Sequence, residues 1–115
     1  MIALPTNAGI YLYSRPADMR KGFSGLAGII RDELGKVPND GSLFLFINRR
    51  GDKLKALYWD RDGMAIWYKT LERGSFERIR RDGQASVKLD AADLAMLLGG
   101  VSIEDAKRRR RFKAA

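Results

Sequence analysis

Residues 43–76, LFLFINRRGDKLKALYWDRDGMAIWYKTLERGSF, constrain the fold more than any other stretch. Three runs there, Leu43–Ile47, 54–59 and 64–71, are dense in Leu, Ile, Phe, Tyr and Trp. Two glycine turns separate them, so they read as strands of an antiparallel meander. Six of the eleven aromatic residues fall in these runs, so the core must form around them.

The two turns have the same form: Asn48-Arg49-Arg50-Gly51-Asp52 and Asp60-Arg61-Asp62-Gly63-Met64. Each suits a three-residue loop, with a type I turn followed by glycine in the left-handed conformation. That geometry pairs Asn48 with Asp52 and Asp60 with Met64. One face then carries Phe44, Phe46, Leu54, Ala56, Tyr58, Ile66 and Tyr68. The other carries Leu43, Leu45, Ile47, Lys55, Leu57, Trp59, Trp67 and Lys69. A one-residue change in either loop sends a strand's side chains to the opposite face. Neither face is polar. A helix can cover one, and more of the chain or a partner must cover the other.

Around the meander, Ile10–Tyr13 reads as a first strand. Asp18 is a good N-cap. From it Met19, Phe23, Leu26, Ala27, Ile30 and Leu34 recur at helical spacing as one apolar stripe, ending at Gly35. Gly22, Gly25 and Gly28 weaken that helix, and a start as late as Ser24 is the alternative. Residues 76–79 read as a short edge strand and 85–89 as another. Asp90 caps a second helix with Leu94, Leu97 and Leu98 on one side and Gly99-Gly100 as its stop. Ser102, with Asp105 three residues later, starts a last short helix that runs into a basic tail. The expected fold class is α+β. It comprises a meander of three to five strands, an amphipathic helix on the sheet and a short C-terminal helix, with one domain over 1–103 and a tail over 104–115.

Composition excludes several chemistries. The chain has no Cys and no His, which removes disulfides, thiol nucleophiles, imidazole bases and the usual zinc sites. No run approaches the roughly 18 apolar residues of a membrane span. The N-terminus MIALPTNAG lacks the basic and apolar regions of a secretion signal, so a cytoplasmic protein is expected. Asp60-Arg61-Asp62 lacks the further oxygens of a calcium loop, and the glycines at 22, 25 and 28 match no dinucleotide or phosphate loop. Arg50-Gly51-Asp52 spells an adhesion tripeptide, here set in a hairpin turn. Neither metal nor cofactor is expected.

The formal net charge is +8, which points to polyanionic partners: nucleic acid or an acidic protein surface. Residues 104–115 hold six Lys or Arg and two acids, so half of the excess lies in the last dozen residues. The tail candidates are Lys107, Arg108, Arg109, Arg110 and Arg111. Arg20 and Lys21 fall in the expected first helical turn, where the macrodipole disfavours cations. They therefore read either as an anion site with the free helical N–H groups or as solvated side chains beside a capping Asp18. Arg49, Arg50, Lys53, Arg61 and Arg73 lie in or beside the meander turns. Lys55 and Trp59 complete the candidate binding set, because cations beside exposed aromatics bind phosphates and stack on bases. Trp67 reads as core, and Trp59 is open to both readings.

Taken together, DMRKGFSGLAGII, the meander sequence through LERGSF, and LDAADLAMLLGGV resemble the accessory protein encoded by the second reading frame of insertion sequences of the sixty-six type. That family is often called TnpB and is unrelated to the RNA-guided nuclease of the same name. The resemblance covers roughly residues 2–101, and its most specific parts are DMRKG, NRRGD, the LYWD-to-Gly hairpin and LERGSF. It departs after Phe76, where the family's Pro-containing segment is replaced by ERIRRDGQAS. The resemblance implies a non-catalytic role in DNA transposition beside a larger transposase that does the strand chemistry. Two classes follow from it: a nucleoprotein assembly factor that contacts transposon DNA, the transposase or both, and a protein-interaction module that binds the transposase alone.

Overall fold

A computed structural model describes residues 9–79 and 81–105. The elements run β1 (Ile10–Tyr13), α1 (Phe23–Asp32), β2 (Leu43–Ile47), β3 (Lys53–Asp60), β4 (Gly63–Thr70), β5 (Ser86–Leu89) and α2 (Ala91–Gly99). The strands form one five-stranded sheet in the order β4-β3-β2-β1-β5. The expected meander is β2-β3-β4. β1 lies parallel to β2 and antiparallel to β5, which makes the sheet mixed. Parallel neighbours need a crossover, and α1 supplies it, so β1, α1 and β2 form one unit.

Two cores result. Leu26, Ile29 and Ile30 of α1 pack with Tyr13, Phe44, Phe46 and Leu57 on one face. On the other face Leu43, Leu45, Ile47, Leu54 and Ala56 are covered by Phe76, Ile79, Leu97 and Ile103. The chain itself covers both apolar faces of the meander. Phe76 and Ile79 do this from an irregular segment, not from the edge strand expected over 76–79. Trp67 packs against this second core, as its core reading required.

The register differs from the expected one by one residue in each hairpin. Ile47 pairs with Leu54, the Asn48 N–H bonds the Lys53 carbonyl at 3.1 Å, and Asp60 pairs with Gly63, so the loops have four and two residues, not three. In the first, the Asn48 side chain accepts from the N–H groups of Gly51 (2.9 Å) and Lys53 (3.0 Å), and donates to Asp52 Oδ1 (2.8 Å). Gly51 is left-handed there, as expected, at φ +81°. In the second, Arg61 takes the positive φ, +57°, and Gly63 does not. The two slips cancel between β2 and β4 but invert β3. Lys55, Leu57 and Trp59 therefore face α1, while Leu54, Ala56 and Tyr58 face the second core. Trp59 and Trp67 stand on opposite faces.

α1 begins at Phe23, one residue before the alternative start and not at Asp18. Asp18 is occupied elsewhere: its carboxylate accepts from the Arg20 backbone N–H (2.9 Å) and guanidinium (2.7 Å). The helix has no side-chain cap at Gly22. It ends at Asp32 with Glu33 as its C-cap, short of the stop expected at Gly35, whose φ is +64°; the Lys36 N–H bonds the Ile30 carbonyl at 3.1 Å. This bond satisfies one of the carbonyls that the last helical turn leaves open. Asp90 caps α2 in a reciprocal box with Asp93, and Gly100 ends it at φ +78°. Ser102 accepts from the Asp105 N–H at 3.2 Å where helical backbone begins at Ile103.

Candidate nucleic-acid interface

Strand pairing gathers the C-terminal ends of β1, β2 and β4 and the N-terminal ends of β3 and β5 at one end of the sheet. Three loops leave from that end: 14–22, 48–52 and 71–85. The segments DMRKG, NRRGD and LERGSF lie one on each.

The loops are bonded to the sheet and to one another. The Ala17 N–H donates to the Ile47 carbonyl at 2.8 Å, which fixes the first loop to the end of β2. The Lys55 ammonium, on α1's face of β3, donates to the carbonyls of Met19 (2.8 Å) and Lys21 (2.9 Å). It also lies 4.9 Å from the Tyr68 ring centroid. Lys55 thus holds the Asp18–Lys21 turn, and few of its donors remain for a ligand. The 48–52 loop receives the third loop: the Leu71 N–H bonds the Asp52 carbonyl and the Phe76 N–H bonds the Gly51 carbonyl, each at 2.8 Å. Arg78 closes the contact by donating to the carbonyl of Asn48 (2.8 Å) and to that of Arg49. Gly51 is buried in this joint, and a Cβ there would meet the Ser75 Cβ at 3.2 Å.

Of the sequence candidates, Arg20, Lys21, Arg49, Arg50, Lys53, Lys55 and Arg73 come together at this end. Trp59 and Arg61 lie at the other end of β3, about 20 Å along the strand from Lys53. Lys107, Arg108, Arg109, Arg110 and Arg111 lie outside the described residues. The structure adds Arg15, Arg78 and Arg81, which sequence reasoning missed. Only Arg78 had a legible signal, its place just beyond LERGSF, and its carbonyl partners are set by the tertiary fold.

The cations differ in availability. Arg20 forms a fork on Asp18, and this pairing holds the Asp18 carboxyl down at about 2. Arg15 lies 3.9 Å from Glu33 and Arg81 3.3 Å from Glu104. Asn48's amide keeps the Asp52 carboxyl below its ordinary range. Lys21, Arg49, Arg50 and Arg73 are exposed and have no ion-pair partner within 4.0 Å among the described residues. No three carboxylates converge as a metal site among the described residues, and no helix there is long and apolar enough to cross a membrane.

The family model for the IS66 Orf2 like protein matches residues 8–108. The chain belongs to that family. It is also similar to two uncharacterized proteins of Sinorhizobium fredii (strain NBRC 101917 / NGR234). It is 34% identical to y4hO over 101 residues, 88% of this chain and 87% of that one. It is 36% identical to y4jC over 76 residues, 66% of this chain and 65% of that one. No solved structure matches it significantly. As an IS66 Orf2-like protein the chain is a transposition-associated accessory protein, and three of its four most specific motif segments, DMRKG, NRRGD and LERGSF, meet at one end of the sheet.

Proposed function

We propose that this IS66 Orf2-like protein is a non-catalytic, cytoplasmic assembly factor that contacts transposon DNA through the basic end of its sheet. The observation that carries the reading is the meeting of three loops there, bearing Lys21, Arg49, Arg50 and Arg73 without closed ion pairs. Clustered guanidinium groups on bonded loops suit phosphate oxygens, which they bind with paired N–H donors. Such contacts position a protein on a duplex without reading its bases. Arg20 is the weaker donor, because a phosphate must compete with Asp18 for its guanidinium.

The test is the variant Arg49→Gln/Arg50→Gln/Arg73→Gln against transposon-end DNA. Each lost phosphate contact lowers the slope of log K against log salt by about 0.9, so the expected fall is about 2 to 3. Melting should be nearly unchanged, since these are surface positions. An unchanged slope would remove this end from DNA binding. Arg20→Gln/Lys21→Gln should reduce transposition with little loss of stability, mostly through Lys21.

The second reading, a module that binds only the transposase, has its own support. Phe23 at the start of α1 and Trp59 at the far end of β3 are exposed, and the packing of this chain leaves them uncovered.

A further inference from the structure

The basic end is one surface, and an apolar cleft between α1 and the β3–β4 hairpin is a second. α1 crosses the meander with Phe23, Ala27 and Arg31 beside Trp59 and Met64 of the β3–β4 hairpin, and Pro38 closes the side. The cleft has a volume of about 360 Å³. Phe23 is 51% exposed and Trp59 38% exposed, although both belong to apolar patterns that the rest of the chain buries. Phe23 was expected in the buried stripe with Leu26 and Ile30. As the first residue of α1 it stands on the rim of the cleft instead.

The chemistry of the lining selects an occupant. Aromatic residues, Met and Arg are the residues enriched at the centres of protein interfaces. Arg31 lines the cleft, is exposed, and has no ion-pair partner among the described residues. The neighbouring hairpin carries Asp60 and Asp62, also exposed and unpaired among the described residues. Two acids on that hairpin, against one arginine on the cleft, disfavour a polyanion such as nucleic acid here. A single carboxylate beside an apolar side chain needs only Arg31 as its partner.

We propose that this cleft docks a protein segment bearing one large apolar side chain with a carboxylate beside it. The apolar group sits against Phe23, Trp59 and Met64, and the carboxylate pairs with Arg31. The chain then has two working surfaces, one for phosphate and one for protein, and the cleft runs from Phe23, just beyond Lys21, to Trp59 at the far end of β3. The proposal relies on the transposition reading only for its probe, the purified transposase of the same element.

The experiment measures binding of the full chain to that transposase and, separately, to transposon-end DNA, for wild type, Phe23→Ser and Arg31→Glu. Both substitutions are at exposed positions, and melting should confirm that the fold is intact. Each position is an interface anchor, so each variant should weaken transposase binding about thirtyfold or more. DNA retardation should not change, and the emission of Trp59 should shift on complex formation in wild type only. Three results overturn the proposal: no binding of the wild-type chain to the transposase, binding that both variants retain, or DNA retardation that falls in parallel. The basic-end variant Arg49→Gln/Arg50→Gln/Arg73→Gln tests the other surface independently, so failure of one reading is distinguishable from failure of the other.

Discussion

Asp18 grips Arg20 from two directions: its carboxylate accepts the Arg20 backbone N–H at 2.9 Å and the guanidinium at 2.7 Å. The pair closes a turn ahead of α1, and the Lys21 N–H on the Asp18 carbonyl at 3.1 Å completes it. The most conspicuous acid in the DMRKG segment therefore organises its own neighbour and leaves the helix uncapped.

This pairing gives a pH signature. The folded Asp18 has its pKa lowered from 3.8 to about 2, first by the Arg20 side chain and then by the Arg20 N–H. A depressed folded pKa contributes stability above the unfolded value and loses it as pH falls toward the folded one. The stability difference between wild type and Asp18→Asn should be flat above pH about 4 and vanish toward pH about 2. It should be small and shrink in salt, because the pair is solvent-exposed. Urea unfolding across pH 2–6 (approximate range) checks both points.

Arg78 should matter more than its exposure suggests. Its guanidinium ties the Asn48 and Arg49 carbonyls to the segment that follows LERGSF. Arg78→Ala should cost about 1–2 kcal/mol, the lower range for charge-assisted hydrogen bonds. Exchange of the Gly51 and Lys53 amides should speed up in the variant. Arg78→Lys should recover only part of the loss, since one ammonium cannot reproduce the planar fork. Melting curves that match wild type would show that the clamp carries no stability.

Arg61 sits at φ +57° in the two-residue β3–β4 turn, with the Asp62 N–H on the Asp60 carbonyl at 2.6 Å. A left-handed residue with a Cβ costs roughly 1–2 kcal/mol, and glycine offsets part of that gain through its own chain entropy. Arg61→Gly should therefore stabilise the protein by about 0.5–1 kcal/mol. A lower melting temperature would mean that the Arg61 side chain itself supports the hairpin.

Deleting residues 107–113 removes six cations. If all meet phosphate, the salt slope of DNA binding falls by about 5, and partial contact gives less. A truncated protein with the wild-type slope would exclude the tail from binding.

Much of this molecule is legible in the sequence because its signals are local. The Leu26 and Ile30 side of α1 follows from helical spacing, the Asp90–Gly100 bounds of α2 from capping chemistry, and the three meander strands from apolar runs between turns. Each depends on residues within about a turn or a hairpin of one another. The cations at 49, 50 and 73 were equally visible as basic turn residues. Register was not legible. It rests on whether Asn48 wraps the N–H groups of Gly51 and Lys53, and on Arg61 accepting the positive φ in place of Gly63. One residue in either loop inverts a whole strand, and this inversion put Lys55 under the DMRKG turn and Trp59 beside α1. The meeting of three loops could not be read locally either. It follows from β1 running parallel to β2 and from long-range bonds such as Ala17 to Ile47 and Phe76 to Gly51. Sequence spacing sets which residues turn, cap and alternate. Only closure of the sheet decides which separated turns share an end, because that choice depends on burying both apolar faces at once.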